Sequence, residues 1–320
     1  MSKRKPRFQI RDNVSYHHLM SRTVNGDPFF GDREREVLRK MIWQVAEFSG
    51  VRVVTYAVMK NHFHVLAEVP EQERHVSDRE LVRRYKVLYP RSTPWQPMRA
   101  KVLARLLREN TEEGQYLRWA LTRRMHDISW FMKTVKQRFS RWYNGSRDRF
   151  GPVWSERFKN VLVEGDAWAL KTVAAYIDLN AVRAGLVSDP KDYRFCGYAE
   201  ALGGGAQARE GLRVVDRDLS GYRQTLYGSG SSAKDGKEMI AREEALQVLR
   251  SRGKLPLSVA LRCKIRYFSD GMVLGSPDFV ESQLAHDHKQ RQRPGRVHSM
   301  QGSDWKGLAV GVGLRKDLFR

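Results

Sequence analysis

Residues 59–70 read MKNHFHVLAEVP, and the rest of the chain is interpreted from this stretch. Apolar residues alternate behind two histidines, which predicts a β-strand. Side chains of a strand alternate between its two faces, so His62 and His64 point the same way. Their Cβ atoms then lie roughly 6.5–7 Å apart, and one divalent metal bridges that gap with each imidazole nitrogen about 2.1 Å away. Two ligands leave the coordination sphere incomplete, so a third must come from elsewhere.

The spacing of the two histidines is a weak signal by itself, because a random His-x-His pair more often has a structural role. His286 and His288 have the same spacing, but they lie in the polar, helix-like segment AHDHKQRQR, where the two rings would diverge. The pair at 62 and 64 is informative only because the surrounding pattern is that of a strand.

The charge of the chain indicates a polyanionic partner. Its 320 residues include 58 Lys and Arg against 36 Asp and Glu, a formal net charge of +22. An acidic membrane surface would attract the same charge, but no basic amphipathic helix with a clean aromatic face is visible. Nucleic acid is therefore the favoured partner.

Other compositional features limit the class of protein. A hydrophobic fraction of 41% supports a folded core. No run of about 20 apolar residues is present, so we expect no membrane association. The basic N-terminus has no apolar run behind it and is not a secretory signal. Cys196 and Cys263 lie in distant segments, which argues against disulfides and for a reducing, cytoplasmic location near the nucleoid.

Residues 16–200 predict one catalytic domain with an α+β fold. The expected order is strand 16–24, helix 32–48, strand 51–59, strand 62–69, helix 127–143, strand 157–164 and helix 167–184. Lys60-Asn61 should connect the second and third strands as a hairpin. The β-α-β-β-α-β part is the ferredoxin-like arrangement, an antiparallel sheet with helices packed on one face.

The segments outside this core are predicted from composition. Residues 71–126 are charged and mostly helical, and we interpret them as an insertion. Glycine-rich stretches at 203–205 and 228–232 predict a flexible linker. The full division is a basic arm at 1–15, a linker at 201–236, a small helical module at 237–290 and a basic tail at 291–320, so the C-terminal extension is mostly helical.

The helix after the fourth strand carries a possible third ligand. Tyr176 and Asn180 are four residues apart and share one helix face. Beside the histidine strand, Asn180 could offer its amide oxygen to a metal, with Tyr176 one turn away. A phenol with a free pKa of about 10 is a poor nucleophile, but it can attack a metal-polarised phosphodiester placed in line. The alternative is that both are ordinary core and helix-end residues.

Three segments together resemble one protein family. They read MKNHFH at 59–64, FMKTVKQRF at 131–139 followed by GPVWSERFK at 151–159, and YIDLNAVRAGLV at 176–187. On these segments the chain resembles the REP-associated tyrosine transposases, in the single-tyrosine branch of the HUH nucleases, over about residues 16–198. The resemblance implies that His62, His64 and Asn180 bind a divalent metal, Mg²⁺ or Mn²⁺. It also implies that Tyr176 is the nucleophile.

Basic residues interleaved with aromatic ones suggest where DNA would bind. Cations can follow a phosphate backbone while exposed rings stack on bases, as expected for single strands. The alternative is that many of these charges are a solvated surface. The residues assigned to nucleic-acid binding are Arg123, Arg124, Lys133, Lys136, Arg138, Arg141, Arg157 and Lys159.

Two functions remain open at this point. The first is a metal-dependent endonuclease and strand transferase that cleaves hairpin-bearing single-stranded DNA. The resemblance implies a 5′-phosphotyrosine intermediate and a free 3′-hydroxyl. The second is a non-catalytic binder of single-stranded RNA or DNA on a ferredoxin-like sheet. Such a sheet needs aromatic rings, and the strand RFKNVLV at 157–163 carries one. We expect a monomer, because the insertion and the C-terminal region would cover the surface that smaller relatives use to dimerise.

Overall fold

The computed structural model describes residues 13–71, 75–228, 245, 247–249, 251, 253–291 and 296–311. Within them the fold is mixed α+β. In chain order the named elements are β1 Ser15–Arg22, α1 Asp32–Ser49, β2 Arg52–Val58, β3 His62–Val69, α2 Asp78–Leu88, α3 Ala100–Glu109, α4 Glu112–Thr122, α5 Ile128–Gly145, β4 Lys159–Val163, α6 Ala167–Asp178, α7 Asn180–Arg183, α8 Gly197–Leu202, α9 Ala206–Leu212, α10 Leu219–Tyr227, α11 Leu257–Arg262, α12 Tyr267–Asp270, β5 Val273–Gly275, α13 Pro277–Arg291, β6 Val297–Ser299 and β7 Ala309–Gly311.

The strands of the described residues form one sheet in the order β2-β3-β1-β4-β5-β7-β6. The pairings β2–β3, β3–β1 and β1–β4 are antiparallel, whereas β5 runs parallel to β4. The sequence predicts the first four strands within one or two residues. The expectation of a wholly antiparallel sheet is wrong, because three short strands from the C-terminal region make the sheet mixed.

Helices cover both faces of this sheet. On one face, α1 packs against α5, and the ring of Phe63 contacts that of Trp154 at 5.4 Å, which in turn contacts Phe139 of α5 at 5.6 Å. Side chains alternate along β3, so its histidines emerge on the opposite face. There α6 packs against β2 and β3. The helices of the β-α-β-β-α-β unit therefore share one face, and the helix that carries Tyr176 lies on the other.

Local sequence signals explain several element ends. Asp166 caps α6, because its carboxylate accepts from the backbone N–H groups of Trp168 and Ala169 at 2.8 and 3.0 Å. Gly50 ends α1 with a φ of 71°, which glycine adopts without strain. The backbone N–H of Met59 donates to the His62 carbonyl at 2.8 Å and closes the predicted hairpin.

Part of the expected linker is ordered core instead. Residues 206–227 form α9 and α10, and Leu212, Tyr222 and Leu226 are fully buried. The hydroxyl of Tyr222 donates to the Asp178 carboxylate at 2.6 Å. The glycines at 203–205 mark the turn between two packed helices, which composition does not distinguish from a flexible linker. Residues 229–236, also assigned to the linker, lie outside the described residues.

The C-terminal region joins the main sheet. β5 pairs with β4 through Leu162 opposite Val273 and Val163 opposite Leu274. β6 and β7 come from the segment expected to be a basic tail, and Trp305 beside them is buried. The first part of the expected helical module, residues 237–252, falls mostly outside the described residues, as do residues 1–12 of the basic arm. No helix in the described part of the chain is long and apolar enough to cross a membrane.

The docking of α9 on β2 can be tested at one glycine. A Cβ at position 211 would lie 2.2 Å from the Val53 carbonyl oxygen and 2.7 Å from that of Val54. We expect Gly211→Ala to destabilise the protein by roughly 1–3 kcal/mol through overpacking. Gly145→Ala is the matched control, because nothing lies within 4 Å of its added Cβ. Equal free energies of urea unfolding for the two variants would contradict this packing.

Candidate active site

A cleft of about 570 Å³ opens on the sheet face that packs against α6. His62 and His64 from β3, Tyr176 from α6 and Asn180 from α7 all line it. The four residues singled out in the sequence are thus brought together, although they come from segments more than 100 residues apart. The cleft is also lined by residues between 264 and 270, so the C-terminal region forms one of its walls.

The two histidines are neutral ligand-type side chains. Their ring centroids are 5.2 Å apart. Burial lowers the pKa of His62 to about 4, with a further contribution from the charges of Arg22 and Arg183. Burial likewise holds the pKa of His64 well below its ordinary value. At neutral pH both rings are therefore uncharged, which is the form that binds metal ions.

Asn61 fixes the tautomer of His62. The Asn61 amide nitrogen donates to the Gly26 carbonyl at 2.7 Å, which orients the amide. Its oxygen then faces Nδ1 of His62 at 2.6 Å and requires a proton there. Nε2 of His62 is left with a lone pair.

His18 is a partner of the site that the sequence analysis missed. Its Nε2 lies 2.8 Å from Nδ1 of His64, and the two rings stack at 5.0 Å. Burial lowers the pKa of His18 to about 3, partly offset by the backbone of Phe268. When His64 donates its Nδ1 proton to His18, Nε2 of His64 carries the lone pair, as a metal ligand requires. Only the strand register reveals this contact, because β1 and β3 pair across 46 residues.

Asn180 completes a set of three donors. Its side chain faces the His62 ring, and within the described part of the chain its buried amide nitrogen has no hydrogen-bond partner. The amide oxygen therefore faces the lone pair on Nε2 of His62, and because both atoms are acceptors, a cation bound between them would satisfy both. Among the described residues, no group of three or more His, Cys, Asp or Glu could hold a metal ion. A metal here would use His62, His64 and Asn180.

Tyr176 is held from both sides. Its ring stacks on Phe268 at 4.2 Å, and the guanidinium of Arg183 lies over it at 3.8 Å. The predicted helix 167–184 breaks at Leu179, so Asn180 begins a new turn. Arg183 donates to the Tyr176 carbonyl at 2.7 Å and to the Leu261 carbonyl at 2.8 Å. The broken helix is thereby tied to the C-terminal region, and the ring has little freedom to turn.

The cleft is positively charged. Arg22, Arg157 and Lys159 line it together with Lys264 and Arg266 from the C-terminal region. Asp270 accepts from Lys159 at 3.1 Å and from Arg266 at 2.9 Å, which offsets part of this charge. The remaining excess of cations suits a phosphate group. The contribution of Lys264 and Arg266 could not be assigned from sequence, where they appear only as charges in a distant helical region.

The eight residues assigned to nucleic-acid binding fall into three groups. Arg157 and Lys159 line the cleft, and Lys136 lies beside it, with its amine donating to the Glu156 carbonyl at 2.7 Å. Arg123, Lys133 and Arg141 are exposed and lie over tryptophan rings.

Arg124 and Arg138 make internal contacts instead. Arg124 donates to the Tyr89 hydroxyl at 3.1 Å, and Arg138 to the Gln44 side chain at 2.9 Å. Burial lowers the pKa of Arg138. Arg138 therefore joins α5 to α1, and the Arg124 contact lies within the insertion.

Comparisons with known proteins give limited information. No family model matches the chain, and the search of curated proteins finds no match. A solved structure described as "Structure of the REP associates tyrosine transposase bound to a REP hairpin" is similar with a TM-score of 0.40 and 14% identity. The likeness covers 64% of this chain and 87% of that chain.

The buried histidines predict acid sensitivity. His17, like His18, is almost fully buried, and burial lowers its pKa to about 4 although Asn160 partly offsets this. A lowered folded-state pKa contributes stability that is present above pH 6.5 and lost as the pH falls towards 4. Between pH 7 and pH 5 each such histidine should remove about 2 kcal/mol from the free energy of unfolding.

The measurement is urea unfolding of the metal-free protein at the two pH values. His17→Gln should lose about 2 kcal/mol less than wild type on acidification. Asp178 acts in the opposite direction, because burial raises its pKa to about 6. Identical losses for wild type and His17→Gln would contradict the neutral state assigned to His17.

Proposed function

We propose that the chain is a metal-dependent endonuclease and strand transferase that cleaves hairpin-bearing single-stranded DNA through Tyr176. One observation carries the proposal: His62, His64, Asn180 and Tyr176 converge on a single cationic cleft. Attack of a tyrosine on a phosphodiester needs a phenol, uncharged side chains that can bind a metal ion, and cations near the phosphate. The cleft contains all three. The activity would be exercised on DNA in the cytoplasm.

The scaffold supports this proposal. The first four strands run β2-β3-β1-β4 with antiparallel neighbours, and the intervening helices α1 and α5 share one face. We interpret this part as a ferredoxin-like core of the HUH endonuclease type, the fold that the resemblance of the three sequence segments implies. In it the histidine strand is internal to the sheet, so its backbone is held by hydrogen bonds on both sides.

The metal site would consist of Nε2 of His62, Nε2 of His64 and the amide oxygen of Asn180. Mg²⁺ or Mn²⁺ bound there would polarise the scissile phosphodiester. Of the two ions, Mn²⁺ suits two imidazoles and one amide oxygen better than Mg²⁺, because Mg²⁺ is the harder cation and prefers oxygen ligands. Asn61 and His18 would orient the two rings, as the outer partners of metal-bound histidines commonly do.

The chemical step would use residues of this chain in defined roles. The Tyr176 oxygen forms a bond to phosphorus while the bond from phosphorus to the 3′ oxygen breaks. The phenol proton leaves, and the 3′ oxygen takes up a proton to become a hydroxyl. Phe268 and Arg183 hold the ring in place, and Arg22 and Lys159 would neutralise the phosphate. The products are a 5′-phosphotyrosine link and a free 3′-hydroxyl.

Loss of the phenol oxygen should separate cleavage from binding. We expect Tyr176→Phe to abolish the covalent protein–DNA adduct on a denaturing gel, and to change hairpin affinity by less than about threefold, because only the nucleophilic atom is removed. Tyr143→Phe is the control, since this tyrosine packs on Phe139 on the other face of the sheet. A Tyr176→Phe protein that still forms the adduct would show that the nucleophile is misassigned. Binding without any adduct in wild type would favour the non-catalytic alternative.

The metal ligands can be ranked by their effect on Mn²⁺ affinity and on cleavage. His62→Ala or His64→Ala should remove both, because each deletes a ligand, whereas Asn180→Ala should be milder because water replaces a neutral amide oxygen. His18→Phe should weaken Mn²⁺ binding roughly 10- to 100-fold, since it removes only the partner that orients His64. His286→Ala, on α13, is the control and should leave Mn²⁺ affinity unchanged. An unchanged Mn²⁺ affinity for His62→Ala would contradict the metal assignment.

A further inference from the structure

Three aromatic side chains of the helical insertion face solvent. Trp95 is 69% exposed, Tyr116 is 64% exposed and Trp119 is 53% exposed. Tyr116 and Trp119 lie one turn apart on α4, with ring centroids 5.8 Å apart. Large rings exposed to this extent commonly mark a binding surface, because they leave apolar area in water.

Cations flank Trp119 and the half-buried Trp130 of α5. The Arg123 guanidinium is 4.5 Å from the centroid of Trp119 and 5.2 Å from that of Trp130. The Lys133 amine lies 4.2 Å from the centroid of the same Trp130 ring. We define the stacking ladder by the residues that follow one another in this way: Tyr116, Trp119, Arg123, Trp130 and Lys133.

Helix α5, which carries Trp130 and Lys133, connects the stacking ladder with a loop that lines the cleft. Lys133 is followed one turn later by Lys136, whose amine donates to the Glu156 carbonyl at 2.7 Å. The Trp154 indole donates to the Lys136 carbonyl at 3.1 Å, which fixes that loop on the helix. Glu156 lines the cleft. The six helical steps from Trp130 to Lys136 span about 9 Å along α5, and the Lys136 amine reaches the loop that carries Glu156 to the cleft.

The positive charge around the stacking ladder indicates what kind of partner would bind there. Between Glu112 and Arg141, the segment has seven Lys and Arg against three Asp and Glu. Arg118 pairs with Asp78, and Arg124 and Arg138 make internal contacts, which leaves four cations for a partner. A partner must therefore be anionic and must also offer flat faces to the rings. Single-stranded nucleic acid has both properties, because every base has a face that stacks and every linkage has a negative charge. A duplex would contact the cations but would hide its base faces.

We propose that the stacking ladder binds the unpaired DNA strand that flanks a hairpin held at the cleft. Bases stack on Tyr116, Trp119 and Trp130, while Arg123 and Lys133 contact the phosphates between them. The path of the strand toward the cleft rests on the proposed function, whereas the stacking of bases on the ladder does not. The insertion would then extend the DNA-binding surface beyond the catalytic core.

The experiment measures affinities of the full chain for two labelled DNA hairpins in the Tyr176→Phe background, so that cleavage does not interfere. One hairpin is blunt, and the other carries a single-stranded tail of about ten thymines, within the length that such surfaces bind. Trp119→Ala should weaken binding of the tailed hairpin by about tenfold and leave the blunt hairpin unchanged. Phe150→Ala is the matched control, because this ring is 88% exposed and lies outside the insertion.

Salt dependence tests the cations of the ladder separately. Arg123→Ala should reduce the slope of log affinity against log salt by about 0.7 on the tailed hairpin, the value for one phosphate contact on a single strand. Arg123→Lys should restore the slope, because it keeps the charge. The proposal would be overturned if Trp119→Ala weakened the binding of blunt and tailed hairpins equally. It would also be overturned if Phe150→Ala weakened the binding of the tailed hairpin as much as Trp119→Ala does. Tighter binding of an RNA tail, or a change of oligomeric state in Trp119→Ala, would overturn it as well.

The two proposals fail in different ways. If wild type forms the Tyr176 adduct but Trp119→Ala leaves tail binding intact, the ladder is wrong and the proposed enzyme stands. If the tail binds through Trp119 but wild type forms no adduct with Mn²⁺ present, the ladder stands and the proposed enzyme is wrong.

Discussion

The antiparallel pairing of β1 with β3 is the constraint on which the site depends. It places Met20 opposite His64 and Arg22 opposite His62, and it brings His18 onto the same face. Side chains alternate with a period of two, so a slip of one residue would turn both histidines toward α5 and Phe63 toward the cleft. The apolar contacts of Phe63 with Trp154 on the far face oppose such a slip. The core that stabilises the sheet therefore also fixes the direction of the His62 and His64 side chains.

The helix that carries Tyr176 is positioned by a buried carboxylate. Asp178 accepts from the Thr55 hydroxyl at 2.9 Å, the Tyr222 hydroxyl at 2.6 Å and the backbone of Tyr198 at 3.1 Å. These partners belong to β2, α10 and α8, so one side chain joins α6 to three elements. A buried carboxylate without hydrogen-bond partners would strongly destabilise the fold. The three hydrogen bonds of Asp178 satisfy the carboxylate and fix the position of α6. The segment expected to be a linker is thus part of the support of Tyr176.

The C-terminal region completes the cleft. Phe268 covers one side of the Tyr176 ring, and the Leu261 carbonyl receives a hydrogen bond from Arg183 on its other side. Lys264 and Arg266 add positive charge to the wall, while the buried histidines remain neutral. Charged and uncharged side chains are therefore separated within the same cleft: cations line its wall, and the neutral rings of His62 and His64 project from the sheet.

The sequence by itself determined the features that have a local period or a local spacing. Alternation in residues 59–70 placed two histidines on one face, and the spacing of Tyr176 and Asn180 placed both on one side of a helix; the structure has all four lining one cleft. Only the tertiary structure decided the rest. His18 meets His64 because of the register between β1 and β3. The strands β5, β6 and β7 are three residues long each, which is too short for a periodic signal. Arg138 makes an internal contact, but its sequence context does not distinguish it from the exposed cations around it. Periodicity is a property of neighbours in the chain, whereas register, burial and charge environment depend on residues far apart in it.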